Sequence, residues 1–532
     1  MSAERSDGRA RRRRAVNFAL RGRRDPASGA GQRRRLSRGP SEQHTRKVLD
    51  LTIRLAEVML SSGSGTADVV ATAQDVAQAY QLTDCVVDVF TTTIFVSAPP
   101  TADAAPITIV RSVQARSTDY TRLSHLDELV GRITSGGVSV DEAHEAMDDL
   151  SERPHPYPRW VATAGWAGFA LGIAMLMGGS WPTWILAPVT SVLIDRTLRW
   201  LNRRGTPVFF QQAAGAAIAT LVAVAAYLFA GVGPTALVAT GIVMLLAGMT
   251  LVGSVQDALT GYMLTAVARL GDVVFMTLGI VVGILFGLQV ASLAGVEIQL
   301  QVDATEFFVL PTQPLDVALA VAGAALAGAC LTITSYGRPR AIATAAAAAG
   351  TAQAVLLSLG TAGFGQVVAT GTAAVGVGVL ATLVSIRRQS PALVTATAGI
   401  TPMLPGMAVF RAVFYFAVER DFGAGMAQAL GAAATALAIG AGVVMGELLG
   451  SPLRYRAGRI GDFLRVEGPP GLRRAIGTVV ALRPSADQDA ARPPYQRSWS
   501  VALEPESTES PAAEPDQPDD AQGGAAGESD GR

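Results

Sequence analysis

The chain has 532 residues, 50% hydrophobic and 16% charged, with a mean hydropathy of +0.34. That is too apolar for a water-soluble protein of this length. The formal net charge of +0 averages a basic head and an acidic tail, and Lys47 is the lone lysine, so the arginines read as coding bias rather than nucleic-acid binding. Two distant cysteines, Cys85 and Cys330, exclude a disulfide framework and give no metal spacing.

Residues 1–44 are rich in Arg, Gly and Ser, and no apolar stretch follows that would make them a secretory signal. They read as a disordered basic leader, with contact to anionic lipid heads as the competing reading. Residues 45–158 read as a cytoplasmic α+β domain. Val48, Leu51, Leu55, Val58 and Met59 recur at helical spacing, and Ser61-Ser-Gly-Ser-Gly65 ends that helix. A helix at 67–79 follows, then strands at 85–90, 93–97 and 107–113, and helices near 123–133 and 140–150. Pro154, Pro156 and Pro158 make a stiff linker.

Beyond it lie about ten apolar segments of the length that crosses a ~30 Å hydrocarbon core. They are drawn at 160–179, 182–201, 209–230, 235–256 and 271–292, then at 315–336, 340–359, 364–386, 393–416 and 425–449. Arg196, Arg199, Arg203 and Arg204 flank the second connection, and Arg269 falls in the fourth. Arg338 and Arg340 fall in the sixth and Arg387 and Arg388 in the eighth, while Arg454, Arg456 and Arg459 follow the last span. The odd connections are almost free of arginine, and the fifth carries Glu297, Asp303 and Glu306. The positive-inside rule then puts both termini in the cytoplasm. The fold class is a polytopic α-helical membrane protein, with repeats of about five helices at 159–310 and 311–450. A shift of about 153 residues lays Leu404-Pro-Gly406 on Leu251-Val-Gly253, and an odd number of spans per repeat makes the halves inverted. A basic segment at 451–484 leads into a disordered acidic tail at 485–532.

The chemistry concentrates in the ninth span, where Thr401-Pro-Met-Leu-Pro-Gly-Met-Ala-Val-Phe-Arg411 interrupts an apolar run. Pro402 and Pro405 must break i→i−4 bonding, and backbone freed in hydrocarbon survives only beside a cavity or packed on protein. Gly406 and Arg411 follow. Arg411 can clamp a substrate carboxylate, pair with an acid, or snorkel to the interface. In the fourth span, Gly253 reads as a backbone break, Gln256 as a hydrogen-bonding ligand and Asp257 as a proton or ammonium site. The duller reading has Asp257 solvated at the helix end or capping the next helix. Under the 153-residue shift Asp257 falls within one position of Arg411, which allows a pair across the pseudo-two-fold. Arg269 joins this set, with Asp272 as its local partner. Gln212, Gln353 and Gln366 are polar groups inside apolar spans, either bridging helices or binding a substrate hydroxyl. Ser61, Ser62, Ser64, Asp68, His125 and His144 could be assembled into a hydrolytic set, but no nucleophile elbow or metalloprotease motif supports it. The alternative function is therefore a membrane-tethered hydrolase or sensor working through the N-terminal domain.

The chain resembles the threonine/serine exporter family over residues 46–450. The resemblance is carried by Arg54-Leu-Ala-Glu57, Ser61-Ser-Gly63 and Val87-Asp-Val-Phe-Thr-Thr-Thr-Ile-Phe-Val96. Asp257, Gly261, Arg269 and Pro402-Met-Leu-Pro-Gly406 extend it. It implies a cytoplasmic N-terminal domain on ten spans of the plasma membrane, exporting threonine and serine by the proton motive force. The chain departs at Val252-Gly253, where a Pro-Gly is expected, and at Tyr262, where an acid often follows the glycine. Expected partners are amino acids, protons and the bilayer, with a homo-oligomer left open. No enzyme activity, metal, cofactor or nucleic acid is expected.

Overall fold

The computed structural model describes residues 41–100, 104–113, 119–245, 248–295, 313–388 and 391–457. Most of the basic leader, the fifth connection with its acids, most of the basic segment and the acidic tail lie outside the described residues. Helix α1 (Glu42–Ser61) starts where the Ser41 hydroxyl accepts the His44 N–H, and it ends at Gly63, whose φ of +94° suits a residue without a Cβ. Helix α2 (Thr66–Ala79) follows Gly65, which has no side chain to cap it. Strands β1 (Val86–Phe90), β2 (Thr93–Ala98) and β3 (Ile107–Ser112) form an antiparallel sheet in that order, with Val89 opposite Ile94 and Phe95 opposite Val110. Alternation puts Val87, Val89, Ile94 and Val96 in one buried cluster with Leu49, Leu51, Ile53 and Leu55 of α1. Helices α3 (Tyr120–Thr134) and α4 (Val140–Glu152) close that core with Leu126, Ile133 and Met147; α4 is fixed by a Ser139–Glu142 capping box.

The rest is helical. Helices α5 (Arg159–Leu176), α6 (Trp181–Arg203), α7 (Val208–Ala230), α8 (Pro234–Leu245), α9 (Gly248–Leu259) and α10 (Met263–Leu293) make the first half. The second holds α11 (Pro314–Thr334), α12 (Pro339–Thr361), α13 (Gln366–Arg388), α14 (Ala392–Ile400), α15 (Gly406–Phe414) and α16 (Phe422–Ala457). Among the described residues, seven of these helices are long and apolar enough to cross a membrane, and α8 with α9, bent by 44°, adds an eighth. Large apolar side chains stand outward, such as Phe229 at 89% and Phe275 at 67% exposure. Water does not tolerate so much contiguous apolar surface, but lipid does. The chain is a mostly helical, multi-pass membrane protein.

The two halves pack alike. The starts of α6 and α12 (181, 339), α7 and α13 (208, 366), α8 and α14 (234, 392) and α9 and α15 (248, 406) each differ by 158 residues. Gly283 of α10 sits on the Ala213 carbonyl and the Ala216 Cβ of α7; Gly442 of α16 sits on the Gly371 carbonyl and the Ala374 Cβ of α13. That is one contact repeated 158 residues on for one helix and 159 on for the other. The π turn Tyr415–Glu419 lies where the additional residue enters. At the crossing of α5 with α11, Gly165 meets the Cys330 carbonyl while Gly172 meets the Gly323 carbonyl, so these equivalent helices run antiparallel. A residue with a Cβ at Gly172 would come within 2.6 Å of that oxygen, which is why small residues line the crossing.

These helix starts differ by 158 residues rather than by the expected 153. That register lays Gly241-Ile-Val-Met-Leu-Leu-Ala-Gly-Met249 on Gly399-Ile-Thr-Pro-Met-Leu-Pro-Gly-Met407, with five of nine residues identical. Gly253 then falls on Arg411 and Asp257 on Tyr415, so Asp257 and Arg411 are not equivalent. The fourth helix of each half is the broken one.

The N-terminal elements dock on one end of this bundle. Tyr120 N–H donates to the Ser335 carbonyl (2.9 Å), the Tyr157 hydroxyl donates to the Gly337 carbonyl (3.1 Å), and Arg338 pairs with Glu128 (2.8 Å). His155 stacks on Tyr336 at 4.4 Å. The Arg338 charge and burial together shape this corner. Desolvation, then Arg338, push His125 below its ordinary pKa. For Glu128, burial alone raises the carboxyl, but the Arg338 hydrogen bond and charge outweigh it and hold it low.

Candidate substrate and proton site

In the second half the break follows from two prolines. Leu404 precedes Pro405 and must leave the helical region; it sits at φ −59°, ψ 132°. Pro402 lies in the first turn of a short 3₁₀ segment (Thr401–Met403), where its missing N–H costs little. The Thr401 hydroxyl donates back to the Thr397 carbonyl at 2.7 Å, and helical bonding resumes at Val409 N–H to the Pro405 carbonyl, 3.0 Å. Pro405 and Gly406 are buried. In the first half α8, described to Leu245, and α9, described from Gly248, are bent by 44° to each other. A Cβ built on Gly248 would lie 3.1 Å from the Leu404 Cβ. The bend and the proline break therefore touch, and α15 presents there the N-terminus of a half-helix, where free N–H groups and the helix dipole favour an anion.

Gly253 is not a break. It sits inside α9, and a Cβ there would come 2.9 Å from Nη1 of Arg269. Glycine at this position leaves room for a guanidinium. Arg269 is itself within α10, which starts at Met263 rather than at the expected 271. Its Nη1 lies 3.0 Å from Asp257 Oδ2. Asp257, in the last turn of α9, is 1% exposed, and its other oxygen, Oδ1, accepts the Thr66 N–H of α2 at 3.2 Å. The expected local partner Asp272 is exposed; the Arg269 guanidinium turns instead to Asp257, which is buried and one α9 turn from Gly253. The duller reading is thus met in altered form: Asp257 caps a helix, but α2 of the N-terminal layer rather than the helix that follows it in sequence. Gly261, at φ +94°, makes the α9–α10 turn, and Tyr262 N–H donates to the Asp257 carbonyl at 2.8 Å. Burial, with the charges of Asp88, Asp257 and Asp68, pushes the Tyr262 phenol up to about 12, so it stays a neutral donor.

Gln256 packs toward Gly440 of α16. Arg411 is 8% exposed on α15. Asp257 lies nine residues past the start of α9 and Arg411 five past the start of α15, about 14 Å and 8 Å along their helices. The structure brings Asp257 to Arg269, while Arg411 stands on the half-helix of the second half. Gln353 is buried in α12 and Gln212 packs on Gly279, but Gln366 is exposed at the first residue of α13, where no apolar neighbours enclose it. Of the hydrolytic set, Ser61 donates to the Val58 carbonyl, His144 contacts the Lys47 carbonyl at 3.0 Å, and His125 faces Arg338.

One buried acid escapes the sequence reading. Asp195 of α6 accepts the Thr163 hydroxyl and the Arg199 Nε–H, each at 2.9 Å. The i, i+4 spacing of Asp195 and Arg199 in an apolar helix was its signal. In the 158-residue register it corresponds to Gln353, so each half holds a buried polar group at the same depth of its second helix.

These features define a polytopic helical membrane protein with a helix bend touching a proline break and a buried acid–arginine pair at the end of one half-helix. The sequence signature described as "Putative threonine/serine exporter" spans residues 50–291, and that described as "Threonine/Serine exporter, ThrE" spans 320–449. The chain belongs to the threonine/serine exporter family. It is 68% identical over 505 residues to a probable threonine/serine exporter of Mycobacterium tuberculosis (strain ATCC 25618 / H37Rv), covering 95% of each chain. It is 33% identical over 415 residues to the threonine/serine exporter of Corynebacterium glutamicum, covering 76% of this chain and 83% of that one. No solved structure matches it.

Proposed function

We propose that this chain is a secondary carrier that exports threonine and serine, driven by the proton motive force, through ten spans arranged as an inverted repeat. The observation that carries the reading is the meeting of the bend and the proline break at Gly248 and Leu404. The half-helix N-terminus of α15 makes a site for the carboxylate common to all amino acids, and the unwound carbonyls beside Pro402 suit an ammonium. The antiparallel run of α5 against α11 and the repeated glycine contacts support the inversion. The arginine-bearing connections lie at the end where the N-terminal layer docks, which supports a cytoplasmic location for that layer and both termini. Asp257 takes the proton. A buried carboxylate held by one arginine and one backbone N–H can lose its charge without unfolding its surroundings. Pro402, Pro405 and Gly406 free the backbone at the centre, Gly253 and Arg269 hold Asp257 at one end, and Arg411 stands on α15; Gln212, Gln256 and Gln353 stay secondary.

The test is flux from reconstituted vesicles loaded with labelled threonine, with and without an imposed proton gradient. Gradient-dependent movement competed by serine but not leucine is expected. Folded protein that moves no label above empty vesicles overturns the reading.

A further inference from the structure

The N-terminal layer touches the proton site itself. Helix α2 lacks a capping side chain of its own, and its first N–H, on the fully buried Thr66, goes to Asp257, 191 positions away. A second contact stands beside it: Thr91 N–H, in the β1–β2 turn, donates to Thr265 Oγ1 of α10 at 3.2 Å. Between them Tyr262 packs into the N-terminal core. Resting on the reading of Asp257 as the proton site, we propose that the N-terminal layer is a lid over this end of the transport path, and that Thr66 is the positioning residue that latches it.

The two oxygens of one carboxylate serve two bodies. Oδ2 holds Arg269 within the membrane bundle, and Oδ1 holds the N-terminus of α2. Both holds depend on the negative charge, the second through the helix dipole as well as the hydrogen bond. A proton or a substrate ammonium on Asp257 removes that charge and loosens both together. The other ionisable groups at the contact are Asp68 of α2, Asp88 of β1 and Tyr262. Lid opening is thus tied to occupancy of the site, without a separate sensor.

Thr66→Pro isolates the latch. Thr66 is the first residue of α2, where proline is well tolerated, and Gly65 at φ −60°, ψ 147° already has the backbone a proline needs before it. The substitution deletes the N–H and leaves Asp257 and Arg269 untouched; Thr66→Val keeps the N–H. In the full chain reconstituted in vesicles, Thr66→Pro is expected to raise the open fraction and so lower the threonine KM from the N-terminal side by roughly three- to tenfold. Hydrogen exchange at residues 61–70 rises with it, and Thr66→Val stays at the wild-type KM. A wild-type KM in Thr66→Pro, or the same shift in Thr66→Val, overturns the latch. Should Thr66→Pro not assemble, Thr91→Cys with Thr265→Cys, in a Cys85→Ser, Cys330→Ser background, joined by a short cleavable thiol reagent, must arrest flux until cleaved; undiminished flux in the joined protein overturns the lid. Asp257→Asn separates the two readings. If it keeps gradient-driven flux, the proton role fails while the Thr66→Pro result stands on its own.

Discussion

Asp257→Asn keeps the shape of the side chain and an oxygen for the Thr66 N–H, but it removes the charge that Arg269 faces. At 3.0 Å the Coulomb attraction is about 5 kcal/mol for an effective dielectric near 20. Desolvation offsets much of it, so the pair adds little net stability while it is whole; removing one member strands the other and costs about 3–5 kcal/mol. Asp257→Asn and Arg269→Gln are each expected to lower stability by that order, and the double variant to regain most of the loss, a coupling of about 2–4 kcal/mol. Unfolding in detergent, followed by tryptophan fluorescence, gives the four corners of the cycle. Flux in vesicles separates structure from function: the double variant recovers stability yet loses the proton dependence that Asp257 supplies. Additive losses in the cycle would refute the ion pair as the reason both charges are tolerated, and gradient-driven flux in Asp257→Asn would refute the proton role.

Gly283→Val and Gly442→Val push into carbonyls at equivalent helix crossings, so each should destabilise by about 1–3 kcal/mol or more, and by similar amounts, in the same unfolding assay. The docking corner at Arg338 responds to acid. His125 has a lowered folded pKa, so its contribution is present above the unfolded value of 6.5 and is lost as the pH falls through that value; Glu128, also lowered, adds a loss below its ordinary 4.5. Protection factors across residues 119–135, with the intrinsic pH dependence of exchange divided out, should therefore fall between pH 7.5 and 5.5, and His125→Phe should flatten the upper part of that change. Burial pushes the Cys85 thiol up to about 11, so alkylation at pH 7.5 should run about 100-fold slower than for an unperturbed thiol, measured by mass shift with time.

The apolar helices were legible because each run is long, and several begin near the drawn limits, α7 at 208 against 209 and α11 at 314 against 315, while α10 starts eight residues before its drawn limit of 271. The three strands also fall where β-branched alternation placed them. The break in α14–α15 was legible because proline states it outright. Its counterpart was not: Leu246-Ala-Gly248 carries no proline, and the next glycine, Gly253, is the more prominent one in the sequence although it lies inside α9. The supposed equivalence of Asp257 and Arg411 rested on that glycine. Asp195 was hidden among the arginines of α6, which the eye assigns to the membrane surface. No local pattern announces that Asp257 caps α2, since that contact spans 191 positions and exists only in the folded chain.

The π turn at Tyr415–Glu419 sets the two halves apart by a single residue. Two identical halves packed back to back would give a molecule indifferent to which way it faces, with both orientations of the path equal in energy. Here one half-helix meets its successor through Gly261 and the other through a wider coil and a left-handed Arg420, and the N-terminal layer roofs the first. In the proposed export cycle the rest position is built into the chain as a lopsidedness, and the gradient acts on a balance that is already tilted.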